Sequence, residues 1–177
     1  MPFGFVSAEM WQTIATFVRG KHVWDLGAGD MNRARMLHGM GATVTAVDKE
    51  RMEDVHDIER WKGTFEFLLP YLGDARMEVA CVFWPVNRPC GLGDLVAKAD
   101  RVIYLGQNAS DTGTAAGGPG FWSEVSRRRV LAAVEHEKNT LIVYGRRADD
   151  KRSLLKEEAA AYEQWFPGLI EVCEGGV

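Results

Sequence analysis

The residues best suited to bind a ligand lie at positions 23–30, where an apolar stretch runs into Gly27, Ala28 and Gly29. Two glycines let a backbone turn tightly and approach a ligand, and a helix that starts directly afterwards offers unpaired N–H groups. A second, β-branched stretch ends in Asp48, 21 residues after Gly27. A carboxylate at about this offset suits the hydroxyls of a ribose. The spacing predicts a nucleotide-binding β-α-β unit, and a plain strand-to-helix turn is the alternative interpretation.

Asp25 bears on which nucleotide would bind, because it stands two residues before Gly27. A carboxylate there repels a pyrophosphate and attracts a cationic group. A dinucleotide-binding turn would also carry a third glycine at the position of Asn32. S-adenosylmethionine has an ammonium and a sulfonium group. These residues therefore favour S-adenosylmethionine, and NAD remains the alternative.

Positions 23–29 and 44–48 resemble the first two motifs of the class I S-adenosylmethionine-dependent methyltransferases. The resemblance implies a set of cofactor-binding residues: Asp25, Gly27, Ala28, Gly29 and Asp48. Asp25, Gly27 and Gly29 would line the methionine end of the cofactor, and Asp48 would bind its ribose. The resemblance also implies a Rossmann-like fold, in which a mostly parallel seven-stranded sheet carries helices on both faces.

Two further positions bear on this resemblance. Residues 72–75, Leu-Gly-Asp-Ala, look like a third element of the family, in which Asp74 would contact the adenine amino group. An Asx turn before a strand explains these four residues equally well. Met31 is a departure, because the family often has a third glycine there. Its side chain is expected to narrow the turn.

Trp84, Pro85 and Asn87 are the candidate catalytic residues, since they follow a predicted buried strand and ligands of open α/β sheets bind at the carboxyl ends of strands. The segment is similar to a motif of amino-methylating family members. Asn87 would hold a substrate amide or amine, and Trp84 would stack on a flat ring. A core role for Trp84 beside a rigid loop is the alternative. A second alternative is Cys90, because a Pro-Cys pair after this strand supplies the thiolate of C5-pyrimidine methyltransferases.

The elements that must position these residues alternate between strands and helices. Strands are predicted over residues 22–26, 42–47, 78–84, 101–105, 140–144 and 169–173. Helices are predicted from Asp30 to Gly41 and over residues 50–61, 92–99, 121–137 and 151–164. Residues 64–72 are ambiguous because Pro70 argues against a long element. The alternation predicts an α/β domain with a mostly parallel sheet.

Two surface features have competing interpretations. Residues 106–120 hold five glycines and a proline, which predicts a loop that is either a mobile lid over the substrate or a tolerated insertion. Arg127, Arg128 and Arg129, with further basic residues at 146–147 and 151–152, could contact RNA or an anionic substrate. A solvated basic face is the alternative interpretation.

Composition sets the broad class. The chain has 177 residues, of which 46% are hydrophobic and 26% charged, and this mixture excludes a disordered or fibrous protein. The net charge of −4 does not favour non-specific binding to nucleic acid. Three cysteines and four histidines show no metal-ligand spacing. The N-terminus does not resemble a signal peptide, and no apolar run is long enough to cross a membrane.

The sequence thus predicts a single cytoplasmic methyltransferase-like domain over residues 1–177, without a metal ion. Its expected reaction is methyl transfer from S-adenosylmethionine to a small-molecule or nucleic-acid acceptor. A non-catalytic module that keeps the cofactor-binding fold and an NAD-dependent α/β enzyme remain the alternatives.

Overall fold

A computed structural model describes residues 6–85, 90–107 and 117–148 of the chain. Their strands are β1 His22–Leu26, β2 Thr43–Asp48, β3 Ile58–Lys62, β4 Met77–Phe83, β5 Ala99–Gln107, β6 Arg128–His136 and β7 Asn139–Arg147. Their helices are α1 Ala8–Val18, α2 Asn32–Gly39, α3 Phe65–Leu72, α4 Leu92–Ala97 and α5 Gly118–Val125.

The strands form one seven-stranded sheet in the order β3-β2-β1-β4-β5-β7-β6. The strands from β3 to β5 in this order are parallel, and β7 runs antiparallel between β5 and β6. The prediction of a Rossmann-like α/β fold with a mostly parallel, seven-stranded sheet is confirmed. We call the side where the parallel strands end the carboxyl edge, and the side where they begin the amino edge.

Hydrophobic residues are buried on both faces of the sheet. In β4, Val79, Cys81 and Phe83 belong to the core cluster that includes α1 and α2. The alternating residues Ala80 and Val82 belong to the second cluster, with α3, α4 and α5. A parallel strand covered on both faces has few solvent-facing positions, which explains the continuous apolar run in the sequence of β4.

The predicted helix over residues 50–61 is wrong. Residues 51–57 contain no helix, and β3 follows them as the edge strand beside β2. Met52, Val55 and Ile58 recur every third residue, which imitates a helical period. They nevertheless lie in a loop and at the start of β3, and they pack in or against the core cluster that includes α1 and α2. Val44 pairs with Ile58, so a long-range ladder decides the structure of this segment.

The predicted helix over residues 121–137 is correct only as far as Val125, where α5 ends, and is wrong beyond it, because β6 begins at Arg128. The apolar residues of β6 alternate only roughly, since the β6–β7 ladder shifts register twice between Arg128 and Ala132. Such irregular spacing resembles a helical pattern when the partner strand is unknown. The ambiguous segment 64–72 is helical as α3, with Pro70 inside it.

Several predictions fall outside the described residues. These are Asn87, the helix over residues 151–164, the strand over residues 169–173 and the centre of the 106–120 loop. Within the described ranges, no helix is both long enough and apolar enough to cross a membrane.

Candidate functional site

A cavity of about 370 Å³ opens at the carboxyl edge, where β1, β2, β3 and β4 end. Its walls come from Leu26, Gly27, Asp48, Lys49, Gly63, Thr64, Phe65, Glu66, Phe83, Trp84, Pro85, Cys90 and Leu92. We call it the carboxyl-edge cavity. It therefore brings together Gly27 and Asp48 of the predicted nucleotide site with Trp84 and Pro85 of the predicted catalytic segment.

The turn after β1 is held against the end of β2. Gly27 and Ala28 both donate their backbone N–H groups to Val47 O, at 2.8 and 3.0 Å. Gly27 has a φ of +90°, and a Cβ there would meet no atom within 4 Å. The glycine thus permits a left-handed turn and leaves open space beside it. Ala28 is fully buried, so its side chain supports the turn from the core.

Met31 does not narrow the turn as the sequence suggested. It adopts a φ of +65°, a left-handed conformation that is uncommon for a residue with a side chain. Its side chain is fully buried in the cluster beneath α2 and is absent from the walls of the carboxyl-edge cavity. Burial of this side chain offsets the backbone strain that a glycine would avoid.

Asp48 anchors the turn as well as facing the cavity. Its Oδ2 accepts a hydrogen bond from Gly29 N at 2.9 Å, and its Oδ1 accepts one from Glu50 N at 2.9 Å. Each carboxylate oxygen has a second lone pair, so the group can still accept hydrogen bonds from a ligand. The sequence motif suggested the ligand role and gave no sign of the anchoring role.

Asp25 is the most unusual ionisable group of this edge. It is fully buried in β1, in register with Ala46 on one side and Cys81 on the other, and it accepts no hydrogen bond from any described residue. Burial raises the pKa of Asp25 to about 7. Arg33 opposes that rise, and Asp48 and Asp30 add to it. A buried carboxylate without a donor costs free energy that a nearby cation would offset.

Arg33 is a site residue that the sequence reasoning missed. Its NH2 group donates to Gly27 O at 3.2 Å, and its guanidinium lies 5.9 Å from the ring centres of both Phe83 and Trp84. It therefore connects the glycine turn to the end of β4. Its place in the first turn of α2, directly after the glycines, was the only available signal.

Trp84 leaves β4 in a strained conformation, with a φ of +46°. Its backbone N–H donates to Leu105 O at 2.6 Å, and this hydrogen bond holds the strained residue against β5. Backbone strain of this kind recurs at functional sites. Trp84 is half-buried: it packs on the core cluster and also lines the cavity, so its substrate-stacking role stays a prediction beside its core role.

Asp74 is not brought to the cavity. It is an exposed residue of the turn between α3 and β4, at the amino edge of the sheet. The seven residues of β4 separate that turn from Trp84 by roughly 20 Å, at about 3.3 Å per residue. The segment that follows β3 and lines the cavity is instead Gly63, Thr64, Phe65 and Glu66. The sequence reasoning missed it because β3 was predicted to be helical.

Arg128 does not form an exposed patch with its neighbours, because its side chain is only 1% exposed. It donates to Val96 O, Ala99 O and Gly145 O and pairs with Glu124. Burial lowers the pKa of Arg128, and Glu124 opposes that effect. Arg127 is exposed and Arg129 half-buried, at the amino edge and far from the carboxyl-edge cavity. Among the described residues, no group of three or more His, Cys, Asp or Glu side chains could hold a metal ion.

Comparison with protein-family models finds no match, and comparison with curated proteins finds none either. Solved structures do match. A conserved hypothetical protein from Streptococcus pyogenes aligns with a TM-score of 0.58 at 15% identity, over 80% of this chain and 95% of that one. The candidate methyltransferase yhhF of Escherichia coli aligns with a TM-score of 0.57 at 11% identity, over 83% and 89%.

A candidate methyltransferase from Streptococcus mutans, solved with S-adenosylhomocysteine, aligns with a TM-score of 0.52 at 10% identity, over 77% of this chain and 94% of that one. Identities this low establish the fold alone. The chain has the fold of the class I S-adenosylmethionine-dependent methyltransferases, as its first two motifs implied.

Proposed function

We propose that the protein binds S-adenosylmethionine in the carboxyl-edge cavity and transfers its methyl group to an acceptor. The observation that carries this proposal is Asp25, a fully buried carboxyl group without a hydrogen-bond donor directly before the glycine turn. A cationic ligand at this turn would stabilise the ionised carboxylate. A pyrophosphate would be repelled by the same group, which argues against NAD.

The cavity residues fit such a cofactor. Gly27, with Asp25 buried two residues before it, would face its cationic methionine end, and Asp48 would accept hydrogen bonds from its ribose. The apolar walls Leu26, Phe65 and Leu92 suit a purine ring. Asp74 has no place in this arrangement, because it lies at the other edge of the sheet.

The chemistry needs little from the protein beyond alignment. When bound, the cofactor supplies a methyl group activated by its sulfonium. Trp84 and Pro85 would hold the acceptor in line with that group and keep water away from it. Asn87 stays a predicted partner of an acceptor amide or amine. Cys90, which lines the same cavity, is half-buried.

The acceptor class is a small molecule or a nucleic acid. Because Arg128 is buried, it cannot make the suggested RNA contact. An RNA acceptor at the cavity would therefore have to bind other residues. A non-catalytic module with the same cofactor site is the second candidate. The strained Trp84 at the cavity wall favours the enzyme over that module, because strain is tolerated where it serves a function.

Calorimetry with S-adenosylhomocysteine and with NAD tests the cofactor. We expect saturable binding of S-adenosylhomocysteine and no binding of NAD at the same concentrations. Tight NAD binding without any response to S-adenosylhomocysteine would overturn the proposal. Incubation with S-adenosylmethionine labelled in its methyl group, together with fractionated small-molecule and RNA pools, tests the reaction. Cofactor binding without transfer to any pool would favour the non-catalytic module.

A further inference from the structure

Helix α3 leaves one of its faces uncovered at the protein surface. Its buried face, which includes Leu68, packs in the core cluster that also holds residues of α4 and α5. The other face carries Phe67 and Tyr71, which keep 58% and 69% of their surface exposed. The two residues lie four positions apart on the helix, and their ring centres are 5.5 Å apart. Single exposed apolar residues are common, but adjacent exposed rings form a patch that indicates a contact surface.

Trp61 of the edge strand β3 joins these two rings. Its ring centre lies 6.1 Å from that of Phe67 and 5.5 Å from that of Tyr71. The ring also lies close against Gly63, where an added Cβ would meet it at 2.8 Å. Because each ring is a neighbour of the other two, they form one continuous surface. We call Trp61, Phe67 and Tyr71 the aromatic strip.

Carboxylates flank the aromatic strip. Glu66 precedes Phe67 in the first turn of α3, and Asp74 follows the helix in the turn before β4. Both are exposed, and no hydrogen bond or ion pair joins either carboxylate to another described residue. Glu59 is also exposed, and it stands two residues before Trp61 on the same face of β3. The strip therefore lies among three exposed acidic side chains.

The basic residues beside the aromatic strip in the sequence do not neutralise this charge. Arg60 and Lys62 flank Trp61 in β3, so the alternation of a strand points both of them to the opposite face of the sheet. Arg76, two residues after Asp74, donates to Asp100 at 2.9 Å. The surface thus combines exposed aromatic rings with an excess of negative charge.

We propose that the aromatic strip binds a basic segment of a partner protein, with lysine or arginine side chains over its rings and beside its carboxylates. Cations are attracted to the faces of aromatic rings, and complementary charges strengthen that attraction. The backbone of a nucleic acid would be repelled by the same carboxylates. A second copy of this chain would bring like charges together across a symmetric interface. The charge of the surface therefore favours a basic partner.

Fluorescence anisotropy on the full-length protein at low salt tests this proposal, with labelled octalysine as the probe. A double variant, Phe67→Ala with Tyr71→Ala, should weaken octalysine binding roughly five- to twentyfold, because two cation–π contacts are lost. Asp74→Asn should weaken it roughly two- to fivefold, as the loss of an exposed ion pair does. Labelled octaglutamate should not bind to the wild-type protein. Glu66 stays unchanged in these variants because it also lines the carboxyl-edge cavity.

Two matched variants are the controls. Met36→Ala removes an exposed apolar side chain from α2, and Glu135→Gln removes an exposed carboxylate from β6. We expect octalysine binding to both controls to equal that of the wild-type protein. Binding of S-adenosylhomocysteine should be unchanged in the double variant and in Asp74→Asn, so the aromatic strip and the proposed function can fail separately.

Four results would overturn the proposal. The first is the absence of saturable octalysine binding to the wild-type protein. The second is a control variant that weakens binding as much as its matched variant, which would reduce the effect to net charge or to general surface changes. The third is binding of oligouridine that is tighter than that of octalysine and is lost in the double variant, which would identify a nucleic-acid surface. The fourth is dimerisation in sedimentation experiments that the double variant abolishes, which would identify a second copy as the occupant.

Discussion

The two edges of the sheet treat buried charge in opposite ways. At the amino edge, buried Glu124 is bound by Arg128 and Arg147, and buried Arg128 is bound by a carboxylate and three carbonyl groups. At the carboxyl edge, Asp25 is just as deeply buried and accepts no hydrogen bond from any described residue. A satisfied buried charge indicates architecture, whereas the unsatisfied Asp25, which precedes cavity-lining residues, supports the ligand site proposed above.

The largest effect should come from breaking the satisfied network. Arg128→Met keeps an apolar stem and removes every hydrogen bond of the guanidinium. We expect a loss of about 3–5 kcal/mol in the free energy of unfolding, since Glu124 loses a partner and three buried carbonyl groups lose a donor. Urea titration measures it.

Arg127→Ala is the matched control for that experiment, because Arg127 is the exposed neighbour of Arg128. Its effect should stay within about 0.5 kcal/mol. Similar small losses for both variants would mean that the network at the amino edge contributes little to stability.

Asp25 should make stability depend on pH. Its pKa is about 7 in the folded protein against 3.8 for an ordinary aspartate, so between these values the folded state holds a proton that the unfolded chain releases. The stabilisation is complete below pH 3.8 and is lost as the pH rises towards 7 and beyond. Between pH 5 and 8 we expect the wild-type protein to lose about 3 kcal/mol through this group.

The variant Asp25→Asn isolates this contribution, because an amide cannot ionise and keeps the size of the carboxyl group. Urea titrations of both proteins across this pH range give the difference. A wild-type protein and a variant with parallel pH profiles would show that Asp25 is not neutral in the folded state. The carboxyl edge would then hold an ionised buried group, as the amino edge does, and the two edges would differ only in its hydrogen bonds.

Asp48 should matter most for ligand affinity. Asp48→Ala removes an acceptor for the ribose and the anchor of Gly29, so binding of S-adenosylhomocysteine should weaken by about 1.5–3 kcal/mol. Asp74→Ala, at the amino edge, should leave the affinity unchanged. Calorimetry on both variants checks this pair. Equal affinities for the folded Asp48→Ala variant and the wild type would place the ribose elsewhere.

The sequence was most informative where local chemistry decides the structure. The glycine turn, the strand that ends at Asp48 and the buried strand β4 could all be predicted from neighbouring residues. The strands β3 and β6 could not, because their pairing with β2 and β7 depends on residues far along the chain. This failure carried over to the site, since the wall that follows β3 and the burial of Arg128 both depend on those strands.

Tyr104 tests whether an unsatisfied buried group always indicates a ligand. Its hydroxyl has no hydrogen-bond partner among the described residues, and burial raises the pKa of Tyr104 to about 12. Asp25 is followed directly by the cavity-lining residues Leu26 and Gly27. Tyr104 is instead enclosed by rings, with Phe121 and Trp122 at 5.5 and 5.1 Å between ring centres. The hydroxyl therefore carries a desolvation cost without compensation from a ligand.

Tyr104→Phe removes that cost and should raise the free energy of unfolding by about 1 kcal/mol. Tyr71→Phe, at an exposed tyrosine of α3, is the control and should change it by less than about 0.5 kcal/mol. Thermal and urea unfolding of the three proteins measure the differences. If Tyr104→Phe instead destabilises the protein, the hydroxyl has a bound partner such as an internal water, and β5 would then resemble the satisfied amino edge. If it stabilises the protein as expected, the absence of a partner indicates a ligand only where a cavity lies beside the unsatisfied group.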